Sequence, residues 1–270
     1  MRPQPPVIMH KYGDFILCTW NVNSIRARED HVARLLVEWR PDALLLQETK
    51  VQDQDFPTEM FSRAGYNVAA WGQKTYNGVA IASPHPIENV RRGLADDPEH
   101  EPEKRVIAAT INGLRLINAY IPNGGDPASD KFRHKLDFFR GLRDFLDSAH
   151  TPAEPLVLAG DFNVAPEPDD VFDPEALLGT TCYHPDEHRG LAALAAWGLQ
   201  DAFRLADKRP GQYSWWDYRG GAWNKDHGMR IDHIWLTPPL SERLAGCWIE
   251  REERGRDRAS DHAPVLAALK

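Results

Sequence analysis

Two apolar runs, Val106–Ile111 and Leu114–Ile121, are separated only by Asn112-Gly113. That dipeptide supplies the positive φ angles of a two-residue type I′ turn, so the runs are predicted to pair as an antiparallel hairpin. An all-parallel sheet is thereby excluded. Other short apolar runs bounded by turn residues are Phe15–Trp20, Ala43–Leu46, Gly78–Ile81, Leu156–Ala159, Ile231–Leu236 and Pro264–Leu269, and each is a predicted strand. Helical spacing appears at Val32, Leu35, Leu36 and Trp39, between a candidate cap at Asp30 and the terminator Pro41. It recurs at Phe132, Leu136, Phe139 and Leu146, and over Glu187–Trp197, where Gly198 suits the left-handed position after a helix. The mixture predicts α/β layers that contain antiparallel strands.

A chain of 270 residues can bury roughly 70–75% of the surface it exposes unfolded, so it needs no staples. No repeat or flexible linker interrupts the apolar segments, which predicts an amino-terminal extension over 1–14 and a single domain over 15–270. Cys18, Cys182 and Cys247 lie far apart, without the spacing of a zinc site or a redox pair, which points to a reducing, cytoplasmic setting. The early prolines Pro3, Pro5 and Pro6 interrupt any secretion signal, and no window approaches the ~20 apolar residues of a membrane span. No membrane partner is expected.

The net charge of −8 looks wrong for a protein that touches nucleic acid. Two acidic segments, 96–103 and 167–175, hold five acids each, and without them the rest carries +2. Basic clusters then stand out at Arg26/Arg28, Arg91/Arg92 and Lys131/Arg133/His134/Lys135; a solvated face is the plainer reading of each.

Four acids share one context, in or just beyond a predicted strand: Glu48, Asp161, Asp232 and Asp261. Neighbouring strands would gather these carboxylates in one cleft, and hard oxygen ligands suit Mg²⁺ or Mn²⁺. Strand ends also meet solvent, so any single acid has a plain alternative. Asp161 and Asn163 stand two apart after a strand and would face one side in extended backbone. A carboxylate can take a proton from water, and an amide can hold a phosphate oxygen or the carboxylate itself. In Ser260-Asp261-His262 adjacent side chains point to opposite faces, so Asp232 is the expected partner of His262. There is no Gly-x-Ser-x-Gly elbow and no glycine-rich phosphate loop, which leaves activated water as the route.

Taken together, Thr19–Arg26, Leu46–Lys50, Gly160–Asn163, Arg230–His233 and Ser260–Pro264 closely resemble the exonuclease III family of abasic-site endonucleases, in order and in spacing. The segments Trp197–Arg204 and Ser214–Arg219 add to the likeness. The resemblance implies a DNase I-like four-layer α/β sandwich, two mixed β-sheets flanked by helices, with the catalytic domain over 15–270. It implies metal binding by Glu48, Asn21 and Asp261, with Asp161 and Asn163 at a second position. Asp161 would position or deprotonate water, Asn163 and His262 would hold the phosphate, and Asp232 would orient His262. Tyr120 would contact a phosphate oxygen or assist the leaving group. Trp215, Met229 and Ile231 match a small apolar pocket for a sugar lacking its base, Asn123 matches a polar contact near the phosphate, and Arg91 and Arg92 would grip the duplex.

The implied activity is Mg²⁺-dependent cleavage 5′ to an abasic site, with 3′→5′ exonuclease and 3′-phosphatase activity beside it. The implied partner is double-stranded DNA with abasic sites or 3′ ends, met by a monomer in the cytoplasm at the nucleoid. Two readings compete: a phosphatase of the same superfold acting on inositol phosphates, and a non-catalytic binder of damaged DNA. Two departures stand out. Asn23 occupies a position where some relatives carry a carboxylate, and Gly220–His227, with Trp223 and Lys225, falls where relatives vary.

Overall fold

The protein is described from a computed structural model that covers residues 13–95 and 102–270. Residues 1–12 of the expected extension and most of the acidic segment 96–103 lie outside the described residues. The strands in chain order are β1 (Phe15–Asn21), β2 (Ala43–Gln47), β3 (Asn67–Trp71), β4 (Val79–Ser83), β5 (Glu88–Arg92), β6 (Val106–Ile111) and β7 (Leu114–Tyr120). They continue with β8 (Leu156–Asp161), β9 (Gln200–Asp201), β10 (Trp215–Trp216), β11 (Gly228–Met229), β12 (Asp232–Leu236), β13 (Leu244–Ile249) and β14 (Val265–Leu269). The helices are α1 (Glu29–Glu38), α2 (Thr58–Arg63), α3 (Asp130–Ala149), α4 (Pro174–Leu177), α5 (Pro185–Trp197), α6 (Ala202–Ala206), α7 (Ala222–Lys225) and α8 (Pro238–Ser241).

Two six-stranded sheets form, in the orders β13-β14-β1-β2-β4-β3 and β5-β6-β7-β8-β12-β9. Both are mixed, because β1 pairs with β2, and β7 with β8, in parallel while their other pairings are antiparallel. The β6–β7 hairpin turns on Asn112 and Gly113, whose φ angles are 50° and 78°.

Period-two alternation decides which face each side chain joins. Phe15, Leu17, Leu45 and Ile81 of the first sheet pack against Ile107, Leu116, Val157 and Ile234 of the second. The alternate residues Ile16, Cys18, Trp20 and Leu44 meet Val32, Leu35 and Leu36 of α1 and Phe61 of α2. On the far side, Val106, Ile117 and Leu158 meet Phe139, Leu142 and Leu146 of α3 and Leu191 and Leu194 of α5. Helix, sheet, sheet and helix thus stack in four layers. Full burial of a side chain such as Leu45 or Leu116 contributes roughly 2 kcal/mol, which is why the strands read as apolar on both faces.

Local details differ from the sequence expectations. Asp30 does not cap α1; it lies inside the first turn, and the short 3₁₀ segment Arg26–Arg28 leads into the helix instead. On α3 the buried stripe includes Lys135, which the sequence grouped with an exposed basic cluster, whereas Leu136 is only half-buried. Helix α5 begins at Pro185, two residues early, because His184 and Glu187 form a capping box that fixes its start.

Polar groups cross the central interface near one edge. The Gln47 amide donates to Asn118 Oδ1 (2.7 Å) and Thr19 Oγ1 (2.9 Å), and Asn118 donates to the carbonyls of Leu46 (2.9 Å) and Ala80 (3.0 Å). Gly160, one residue before the end of β8, has φ +143°, and a Cβ there would stand 1.8 Å from the Ala119 carbonyl oxygen. Gly160→Ala is therefore expected to cost at least about 2 kcal/mol by forcing β7 and β8 apart. Urea unfolding measures this, and an unchanged midpoint would refute it.

Candidate active site

Strand ends carry the site. Asn21 closes β1, Glu48 follows β2, Tyr120 closes β7 and Asp161 closes β8. The parallel registers Asn21↔Gln47 and Tyr120↔Asp161 bring each pair of ends out together, and Asp232 at the start of β12 lies opposite Asp161. The amide of Asn21 joins the two sheets by donating to Glu48 Oε1 (2.9 Å) and to Asp161 Oδ2 (2.9 Å). Glu48 has φ +50°, which takes its side chain off the strand direction; so unusual a conformation for glutamate is held by the bonds around it.

The charges are crowded and nearly dry. Glu48 also accepts from Tyr120 (2.8 Å) and pairs with Lys50 (2.7 Å). Burial works to raise the Glu48 carboxyl, but hydrogen bonds from Asn21 and Lys50 and the charges of Lys50 and His262 outweigh it and leave the carboxyl below its usual value. Asp161 is pushed up to about 7 by burial and by the charges of Asp232 and Glu48, against the opposing pull of His262 and Asn21. His262 Nδ1 meets Asp232 at 2.9 and 3.1 Å, and its Nε2 stands 3.9 Å from Asp161. Burial alone would lower this imidazole, but Asp232 and Asp161 raise it to about 10, so it carries its proton at neutral pH. Ser214 donates to Asp232 Oδ2 at 2.6 Å and fixes that carboxylate from behind. Tyr120 is driven well above its usual value by burial and by Glu48 and Asp161, which keeps it a neutral donor.

Asn163 meets Asp161 for a reason other than the extended backbone expected of it. Its φ is +52°, and a turn returns its backbone N–H to Asp161 Oδ1 (2.9 Å) and its amide to Asp161 Oδ2 (3.2 Å). Asn123 donates to Asn163 Oδ1 at 3.0 Å.

These groups open on a cavity of about 340 Å³. Glu48, Tyr120, Asn123, Asp161, Asn163, Thr181, Asp261 and His262 line it together with Cys182, Trp215, Met229 and Ile231. The Trp215 indole donates to Asp261 Oδ2 (3.1 Å), and Asn23 donates to Asp261 Oδ1 (2.9 Å). Met229 and Ile231 flank the buried Arg230, whose guanidinium is held by Asp170 (2.7 and 2.9 Å) and Asp201 (2.8 Å). Arg91 and Arg92 stand apart on the edge strand β5. Arg91 donates to the Leu94 carbonyl and lies over the Phe145 ring, and Arg92 donates to the Ala70 carbonyl of the other sheet. Trp223 packs edge-on against Trp216 at 4.9 Å, so the Gly220–His227 segment buttresses the β10–β11 ribbon.

Sequence reasoning left Lys50, Ser214, Thr181 and Cys182 without roles. Lys50 and Ser214 sit inside the motifs already quoted, whereas Thr181 and Cys182 carry no local signal.

Comparison with known proteins follows the same outline. Residues 18–262 match the model of the Endonuclease/Exonuclease/phosphatase family. The chain belongs to that family. It is 33% identical to exodeoxyribonuclease III of Haemophilus influenzae, over 93% of this chain and 98% of that protein. Among solved structures, an AP endonuclease from Archaeoglobus fulgidus superposes with a TM-score of 0.91 at 39% identity, covering 95% of this chain and all of that one. A variant of the 3′ phosphatase NExo from Neisseria, bound to a product DNA hairpin, gives 0.91 at 38% identity with the same coverage. The chain is thus a hydrolase of the exodeoxyribonuclease III and AP-endonuclease type, and a DNA repair nuclease.

The donor set fits a hard divalent cation. Asp161, Asp232 and His262 are buried with ligand atoms within 4.8 Å of one another and Glu48 lies half-buried beside them, and burial first, with the neighbouring carboxylates, raises the Asp161 carboxyl.

On the face of β12 away from the cavity, His233 Nε2 donates to the Val164 carbonyl (2.8 Å) while Nδ1 accepts from Arg230 (3.1 Å). Burial and the Arg230 charge lower this imidazole to about 4. Unfolded histidine titrates near 6.5, so between about pH 6.5 and 4 the unfolded chain binds the additional proton and stability falls as pH falls. His233→Gln keeps a donor and an acceptor without this titration. Urea unfolding from pH 7 to 4 is expected to show a shallower loss for this variant, and parallel curves would refute the assignment.

Proposed function

We propose that this nuclease is Mg²⁺-dependent and hydrolyses the phosphodiester 5′ to an abasic site in duplex DNA, leaving a 3′-hydroxyl and a 5′-deoxyribose phosphate. The same site would trim 3′ ends as a 3′→5′ exonuclease and 3′-phosphatase. The observation that carries this reading is one cavity of about 340 Å³ lined both by Glu48, Asp161 and His262 and by the apolar Trp215, Met229 and Ile231.

In this reading the protonated His262, fixed by Asp232, offers Nε2–H to a non-bridging phosphate oxygen. Asn163 exchanges its long bond to Asp161 for a second such contact, and Asn123 holds Asn163 in place. Asp161, oriented by Asn21 and by the Asn163 backbone, takes the proton of the attacking water. Tyr120 donates to the phosphate or to the departing oxygen. Glu48, Asn21 and Asp261 would hold a divalent cation, with Asp161 and Asn163 as a second set, and the bound ion would supply positive charge where phosphoryl negative charge develops. Trp215, Met229 and Ile231 accept a deoxyribose without its base; a paired base would have to leave its stack, which costs more than extruding an abasic sugar. The protein acts as a monomer in the cytoplasm. Arg91, over the Phe145 ring, and the exposed Arg92 would contact the duplex backbone from β5.

The test is a duplex with one tetrahydrofuran residue. With Mg²⁺ the lesion strand is cut at that residue, and EDTA abolishes cutting. Asp161→Asn and Glu48→Ala each lower the rate at least about a hundredfold while the fold is retained. An intact lesion strand with phosphate released from inositol polyphosphates would overturn the reading in favour of the phosphatase. Tight lesion binding without cleavage would favour a silent sensor.

A further inference from the structure

Lys135 is fully buried on α3, and its ammonium faces the underside of the cavity wall. It makes three contacts, matching its three N–H donors: the Asn123 carbonyl (3.0 Å), the Asn163 carbonyl (2.7 Å) and a carboxylate oxygen of Glu187. Glu187, equally buried on α5, accepts in turn from the backbone N–H groups of Cys182 (3.1 Å) and His184 (3.0 Å). Three loops from distant parts of the chain, after β7, after β8 and before α5, are thereby tied to a single ion pair. Each contributes to the polar wall: Asn123, Asn163, and Thr181 with Cys182. The closure is tight, since a Cβ at Gly124 would come within 2.9 Å of the Lys135 stem. Cys182 is held at φ 69°, a conformation that a cysteine rarely adopts, and Asn163 at φ 52°, which an asparagine tolerates.

We propose that the Lys135–Glu187 pair positions the phosphate-holding wall of the nuclease, acting through Asn163, and is not merely a device of stability. The proposal rests on the reading of this cavity as the phosphoester site. A buried ion pair replaced on both sides by apolar residues of similar volume is often neutral for stability, and melting measured beside turnover separates positioning from folding. Lys135→Met keeps the apolar stem, and Glu187→Gln keeps the capping acceptor of α5.

The closing experiment compares wild type, Glu187→Gln and the double variant Lys135→Met/Glu187→Gln on the tetrahydrofuran duplex and on a 3′-phosphorylated duplex, with and without Asn163→Ala. The double variant is expected to melt within a few degrees of wild type, keep KM within about threefold, and lose at least about tenfold in kcat. On the Asn163→Ala background that loss is expected to shrink to about twofold or less, because the pair then has nothing to position. Wild-type kcat in the folded variant would overturn the proposal, as would a loss of equal size on both backgrounds. Should the double variant not fold, Glu187→Gln alone decides by the same comparison, with a smaller expected loss. The Asn163 side-chain NH₂ resonances give a readout independent of turnover: they shift or broaden in the variants, and unchanged resonances would overturn the proposal even if wild type cut neither duplex. Failure of wild type on both substrates would refute the nuclease reading instead.

Discussion

One amide holds the two sheets to a common purpose. Asn21 donates one hydrogen to Glu48 and the other to Asp161, and these carboxylates belong to different sheets. Two buried like charges would drive the strand ends apart, since Coulomb repulsion at such separations is strong away from water. A bridging donor turns this repulsion into a fixed separation. The candidate site is arranged around that bridge: Tyr120 donates to the same Glu48 oxygen as Asn21, Lys50 pairs with the other, and His262 faces Asp161 with Asp232 behind it. The cost is local and accepted, because Asp161 is driven far above the normal carboxylate range.

The layered core and the site depend on each other through strand direction. Parallel pairing of β1 with β2 and of β7 with β8 sends four chain ends to one edge, while antiparallel β12 delivers Asp232 to the same place from the other direction. The Gln47–Asn118 bridge lies just beneath, where the apolar interface gives way to the polar edge. Backbone strain gathers there too. Asn23, Glu48, Lys50 and Asn163 all have positive φ close beyond a strand end. Asparagine adopts such a φ readily, whereas at Glu48 and Lys50 it persists because the surrounding bonds over-determine it.

Much of this was legible in the chain itself, and for identifiable reasons. The Asn112-Gly113 turn and the short apolar runs announce mixed sheets, because strand sterics and burial act over a few residues at a time. The alternation of neighbouring side chains serves only to set Asp261 aside as the partner of His262, and Ser260 to His262 precede β14 instead of belonging to it; the contact with the candidate Asp232 comes from the fold. What the sequence does not announce is what depends on distant partners. Lys135 reads as one of four basic residues on a helix, and only Glu187, 52 positions away, makes its burial tolerable. Asp30 looks like a cap because the preceding 3₁₀ turn has no local signature. The hydrogen bonds of Arg91 and Arg92 to the Leu94 and Ala70 carbonyls, and the Phe145 ring under Arg91, are likewise absent from the spacing of the two residues on a strand.

Asn23 has a physical consequence that its place in the motif does not reveal. Its amide donates to Asp261, which in turn accepts from the Trp215 indole, and its carbonyl oxygen accepts from Lys50, which pairs with Glu48. An unbroken run of donors and acceptors therefore links the apolar wall of the cavity to the principal candidate metal ligand. A carboxylate at this position accepts only, so it would repel Asp261 and leave that oxygen without its donor. The amide instead lets a single side chain satisfy a cation on one side and an anion on the other. Trp215 is thus aimed through Asp261 by the groups that fix Glu48, so the wall that would select the sugar and the groups that would cut beside it share one set of constraints.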